Sequence, residues 1–212
     1  MAQVRKPEIE ARIVDAAREE FVARGVAASS IAAIAERAGL SVGNVYRYFD
    51  GKEALVAQAV PAAVVARLRA LLTARVRALA GVGDVAALGP GARYRVLSEE
   101  LMRFCAEHRL AVVIALAGDA ATPYAGLAAQ VRRQLVRLAI AHATTLTPAV
   151  RVGRTTRFVL DQIYGGFVAA MAAILRQYAT AEAIGAAVDR YAAYHLTGLA
   201  RLLATEPTLE AP

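Results

Sequence analysis

Tryptophan is absent and cysteine occurs once, as Cys105. A single thiol excludes an intrachain disulfide, and with it the small secreted scaffolds that depend on such bonds. It also leaves a cysteine-based oxidation sensor without a resolving partner in the chain. The three histidines, His108, His142 and His195, are far apart, and no His or Cys pair has metal-ligand spacing, so no metal is expected. Alternating runs of Val, Ile and Thr are missing, which argues against a sheet. Charge-free apolar runs stop short: Leu110 to Gly118 ends at Asp119, and Gln162 to Leu175 ends at Arg176. A membrane span needs about 18 or more such residues, so none is expected. The first residues are polar and carry no signal-peptide core, which points to the cytoplasm. There is no Gly-rich phosphate loop, nucleophile elbow or carboxylate pair within a helical turn, so neither an enzyme nor a bound cofactor is expected.

What the chain does have is alanine. Hydrophobic residues make up 58%, enough to bury a sizeable core, and Ala, Leu and Arg all favour helix. The expected fold is all-α. A length of 212 residues allows one large domain, or a small one followed by a medium one. The formal net charge of +7 suits a polyanionic partner. Its distribution is less simple: residues 1–55 carry 8 basic and 8 acidic side chains, and residues 56–212 carry 17 basic and 10 acidic. The excess therefore lies outside the segment with the most informative motif. It either serves another ligand or reflects a preference for Arg over Lys.

That motif is built from short helices. Ile9, Ile13, Ala17 and Phe21 form one stripe of a first helix from Pro7 to Arg24, with Pro7 in its first turn and Gly25 as its stop. Ser29 or Ser30 offers an N-cap to a second helix whose inward face is Ile31, Ile34, Ala35 and Ala38. Gly39 ends it, Leu40 reads as a buried turn residue, and Ser41 caps a third helix through Tyr48 or Phe49. Two helices joined by a tight Gly-containing turn over about 30–49 fit a helix-turn-helix, whose second helix enters the major groove. Val45 and Phe49 should face the core of this unit. Gly43, Tyr46 and Arg47 lie on the opposite side, with Val42 and Asn44 flanking it. Gly43 is unusual inside a helix, where it costs about 1 kcal/mol relative to Ala; a close approach by another backbone or a frayed helix start would each explain it. Asp50 and Glu53 are spaced as a capping box for a fourth helix, expected to reach about Ala80 with a kink near Pro61. Gly and Pro mark a loop at 81–84 and 89–91. Helices are then expected at about 91–107, 109–118, 124–145, 148–178 and 181–204, with Asp119 to Pro123 and Thr147–Pro148 as breaks.

The string Ile31-Ala-Ala-Ile-Ala-Glu-Arg-Ala-Gly-Leu-Ser-Val-Gly-Asn-Val-Tyr-Arg-Tyr-Phe-Asp-Gly-Lys-Glu-Ala-Leu55 closely resembles the DNA-binding segment of the TetR family of regulators. Ile13, Ala16, Ala17, Phe21 and Gly25 fit the same pattern, and the resemblance covers residues 7–60. It implies a homodimeric regulator, usually a repressor, that binds a near-palindromic DNA operator and is released by a small molecule. It divides the chain into a DNA-binding domain, 1–55, and an effector-binding and dimerisation domain, 56–212. Carried over by position, Val42, Gly43, Asn44, Tyr46 and Arg47 would face DNA behind the cap Ser41, while Ser30, Tyr48 and Lys52 would hold phosphates. Val42 departs from the polar residues often found there and offers an apolar contact, such as one to a thymine methyl.

Two late stripes, Ile163–Phe167–Ala170–Ile174 and Ile184–Val188–Tyr191–His195–Leu199–Leu202, suit either a monomer core or the four-helix dimer interface that the resemblance implies. Gly165, Gly166, Ala169, Ala172 and Ala173 would allow close helix approach there. For a small apolar or amphipathic effector, the candidate contacts are Tyr94, Met102, Phe104, Cys105, His108, Tyr124, His142, Asp161, Gln162 and Tyr164. Arg103 and Arg109 leave room for an anionic group on it. A DNA-binding module controlled by a protein partner, with no small ligand, is the alternative.

Overall fold

The computed structural model describes residues 6–79, 82, 87–146 and 152–204, and within them there are ten α-helices and no strand. They are α1 (Pro7–Arg24), α2 (Ile31–Arg37), α3 (Val42–Tyr48), α4 (Lys52–Ala59), α5 (Ala62–Arg77), α6 (Arg93–Glu107), α7 (Arg109–Leu116), α8 (Leu127–Leu146), α9 (Arg154–Gln177) and α10 (Ala181–Ala204). The breaks expected at 81–84, apart from Val82, and at Thr147–Pro148 lie outside the described residues. The fourth helix expected as far as Ala80 is two helices. Pro61 has no N–H to donate and its ring crowds the preceding turn, so the chain breaks at Val60 and restarts at Ala62 instead of kinking.

The chain forms two compact units, residues 1–66 with 108–127, and residues 67–107 with 128–212. The functional division anticipated at 55 and 56 is therefore not the boundary of compactness. In the first unit, α1 packs on α2, α4 and α7. Its stripe is as the period dictates: Ile13, Ala17 and Phe21 are buried, and Ile9 is half-buried. Helix α7 is apolar all round and all five residues from Ala111 to Ala115 are buried, the condition such a helix needs. Arg18 ties α1 to the end of α4 by donating from Nε to the Ala59 carbonyl at 3.0 Å. Glu20 is a buried carboxylate on α1, and Arg37 on α2 donates to it at 2.9 Å.

In the second unit, α5 is joined to α6 by the Arg67–Glu100 ion pair. It is joined to α8 by hydrogen bonds from Arg69 to Gln130 and from Gln134 to Thr73, each 2.7 Å. Arg132 and Asp161 pair across α8 and α9 at 3.0 Å, and α10 packs on α6 and α9. Leu71, Val131, Leu135, Leu160, Val168 and Ile184 lie in its core. The inward face of α9 is Thr156, Leu160, Tyr164, Val168 and Leu175. The expected stripe Ile163–Phe167–Ala170–Ile174 lies beside that face and is only half-buried. By length and composition α9 is apolar enough to cross a membrane, and only 17% of its most apolar 18-residue window is buried; Lys52–Arg77 passes the same test but is broken at Pro61.

Candidate nucleic-acid interface

Local chemistry sets the two short helices. The Ser30 hydroxyl accepts from the Ala33 N–H at 3.1 Å and so caps α2. The other end of α2 closes as a Schellman motif: Leu40 N–H donates to the Ala35 carbonyl at 2.9 Å and Gly39 N–H to the Glu36 carbonyl at 3.0 Å. This closure needs a left-handed residue, and Gly39 supplies it at φ 63°. Ser41 then caps α3 by accepting from the Asn44 N–H. Ile34, Ala35 and Ala38 are buried, with Ile31 and Leu40 only half-buried. The capping box expected from Asp50 and Glu53 does not form. Gly51 is the N-cap of α4, at φ 146°, with no side chain on the helix end. The uncapped N–H groups there suit an anionic oxygen.

On α3, Val45, Tyr48 and Phe49 turn into the core. Val42 and Tyr46 are large apolar or amphipathic side chains left in solvent, 41% and 54% exposed. Gly43 and Arg47 are exposed beside them, and Asn44 is half-buried. A Cβ on Gly43 would meet nothing within 4 Å, so nothing inside the described chain requires glycine at this position. The Arg47 guanidinium lies 5.5 Å from the centroid of the Tyr48 ring.

The residues implied as phosphate holders divide into two kinds. The Ser30 hydroxyl and the Tyr48 phenol both accept backbone N–H bonds, the latter from Lys6 at 3.1 Å, and each keeps its own O–H to donate. Lys52 differs. Its ammonium donates to the carbonyls of Val26, Ala27 and Ser29 at 2.9, 3.2 and 3.0 Å, which uses all three of its protons on the turn between α1 and α2. The same turn is held from its other side by Asp119, which accepts from Ala27 N–H at 2.9 Å and from Ala121 N–H at 2.8 Å. The bonds from Ala27 and Ala121, helped by the Lys52 charge, hold the Asp119 carboxyl below its usual range. Gly25, at φ 80°, brings the chain so close that a Cβ there would sit 3.2 Å from the Asp119 carboxylate. A cation for carbonyls and an anion for an N–H thus fix the segment that leads into the helix-turn-helix. Sequence reading placed Lys52 but gave no role to Asp119 or to the buried Glu20.

The candidate effector contacts do not converge on one place. Tyr124 donates to the Val60 carbonyl at 3.2 Å, and it belongs with His108 to the first unit. In the second, Gln162 is exposed, Asp161 is paired with Arg132, and Met102, Phe104, Cys105 and His142 are half-buried. Burial of the Cys105 sulfur pushes its thiol up to about 12, so it stays protonated and unreactive at neutral pH. Only Tyr94 and Tyr164 of this set are fully buried. Among the described residues no group of three or more His, Cys, Asp or Glu is arranged to hold a metal ion.

Residues 13–59 match the family described as bacterial regulatory proteins, tetR family. No curated protein matches the chain. Among solved structures, the ketosteroid transcriptional regulator of Mycobacterium tuberculosis is similar at 22% identity and a TM-score of 0.55, over 92% of this chain and 96% of that one. A TetR-like transcriptional regulator from Rhodococcus sp. RHA1 shares 24% identity over 93% of this chain and 99% of that one, with a TM-score of 0.48. One from Bordetella parapertussis 12822 shares 18% over 97% and 100%, at 0.49. Residues 13–59 are thus a helix-turn-helix segment of the tetR-family kind, and the chain shares the helical fold of the regulator from Mycobacterium tuberculosis.

Proposed function

We propose that the chain binds a near-palindromic operator as a homodimer, represses from it in the cytoplasm, and is released when a small apolar or amphipathic molecule binds the helical domain within 56–212. The observation that carries the dimer is the pair of late helices. Phe158 on α9 is 64% exposed, Tyr194 on α10 is 76% exposed, and Tyr178 between them is 41% exposed. Apolar area of this kind on long helices calls for a partner surface, and a second copy of the same pair makes a four-helix bundle. Two recognition helices then read two half-sites, adding their binding energies. On α3, Val42, Gly43, Asn44, Tyr46 and Arg47 read the groove, and the Ser30 and Tyr48 hydroxyls with the open end of α4 take phosphates. The test is light scattering with DNase footprinting on wild type and on Phe158→Glu/Tyr194→Glu. A wild-type dimer that protects a two-fold site, and a monomeric variant that does not, is the expected result. A wild-type monomer, or a dimer unchanged in the variant, contradicts it.

A further inference from the structure

Arg75 on α5 carries a half-buried guanidinium. Among the described residues no carboxylate pairs with it. Its Nε donates to Ser98 Oγ at 2.8 Å and one Nη donates to the Tyr94 hydroxyl, both on α6, with its charge 4.6 Å from the centroid of the Tyr94 ring. A guanidinium has five N–H donors in a fixed fork, so these two bonds leave donors over. Within reach of the Arg75 charge are Tyr164 on α9 and His195 on α10, both over nine-tenths buried. Their rings meet edge to face at 5.4 Å, and Phe167 lies 4.8 Å from His195. The Nε2 of His195 is buried and has no hydrogen-bond partner among the described residues. An orphaned polar atom in an interior is costly, and so is a half-desolvated cation with no anion. Both defects would be repaired by the same missing group. Burial and the nearby Arg75 charge hold His195 neutral, and burial pushes Tyr164 up to about 12, so neither supplies the anion itself at neutral pH.

We propose that Arg75, Tyr94, Ser98, Tyr164 and His195 form a site for the carboxylate of a ring-bearing or otherwise apolar small molecule, whose body lies against Tyr164 and Phe167. This rests on the ligand-responsive reading above and names the chemical class of the effector. Tyr164 and His195 are buried on α9 and α10, whereas Phe158 and Tyr194, assigned to the dimer, are exposed on the same two helices. The cation is Arg75 and not the anticipated Arg103 or Arg109: Arg103 is exposed, and Arg109 belongs to the first unit.

The test uses the full chain and a panel of benzoate, phenylbutyrate, 2-naphthoate and decanoate, each beside its uncharged primary amide. Binding is measured by thermal shift and calorimetry on wild type, Arg75→Gln and Tyr94→Phe, with circular dichroism to check that each variant is folded. The expected result is at least one acid that binds wild type about tenfold or more tightly than its amide, a preference that Arg75→Gln abolishes and Tyr94→Phe weakens. No acid bound, equal binding of acid and amide, or a preference that survives in Arg75→Gln overturns the proposal. DNA release is read separately. An acid that binds at Arg75 yet leaves operator affinity unchanged keeps the site and sinks the inducer reading. Release by the amides alone, unaffected by Arg75→Gln, keeps the inducer reading and sinks the site.

Discussion

Lys52 is where local chemistry and inherited expectation part. A lysine at the start of a helix in a DNA-binding segment reads as a phosphate contact, yet its three protons are on three backbone carbonyls. Lys52→Met should therefore act first on stability. Hydrogen bonds to a charged donor are worth about 1.5–3 kcal/mol each at most, and with the site only half-buried a net loss of about 1–3 kcal/mol is expected, read as a lowered urea midpoint at unchanged m-value. The slope of log affinity against log salt should change by less than the ~0.9 expected for one phosphate contact. An unchanged midpoint with a full unit lost from the slope would give Lys52 back to the DNA. Asp119 offers a second test, through pH. Its folded-state carboxyl is held below its ordinary value, so its stabilisation is present above about pH 4, the ordinary Asp range, and is lost as pH falls through the lowered value. Asp119→Asn should be less stable than wild type at pH 7, with the gap closing below about pH 4. A gap that is constant with pH would contradict this.

At the scale of elements, α1 to α3 were legible because their determinants are local. Ser30, Ser41, Gly25 and Gly39 sit within a few residues of the groups they cap, and a stripe of period 3.6 needs no partner to be seen. What bears on them from afar was not legible. The Asp119 bond to Ala27 spans 92 positions, and Lys52 reaches back 23 to 26. Arg75 and His195 look like ordinary helix residues until packing sets them near one another. The break at Pro61 was visible in place but not in kind, since sequence alone does not say whether a helix bends or restarts. Gly43 is the element-scale test of α3. Its Cβ position is open within the described chain, so Gly43→Ala should leave folding unchanged or stabilise it by up to about 1 kcal/mol. If DNA backbone or base edges come close to that face, affinity should fall by about tenfold or more. A variant that is stabilised and binds DNA as wild type does would make Gly43 a frayed helix start with no reading role.

For the whole molecule, the formal charge of +7 says little about DNA, because residues 1–55 carry as many acidic as basic side chains. Recognition must then rest on a few placed groups and on the doubling of the site, not on a basic face. Coupling to an effector is reciprocal: if a bound acid weakens operator affinity tenfold, the operator must weaken acid binding tenfold, about 1.4 kcal/mol in each direction. The most direct measurement is selection of bound duplexes from a random library by the full-length chain, followed by footprinting of the selected site. A near-palindromic sequence should emerge, with half-site centres about one helical turn or a multiple of it apart. Two copies of the chain should protect it, and its base preference should relax in Arg47→Ala. Failure to enrich any sequence, or a single half-site protected by one copy, would contradict recognition by paired α3 helices.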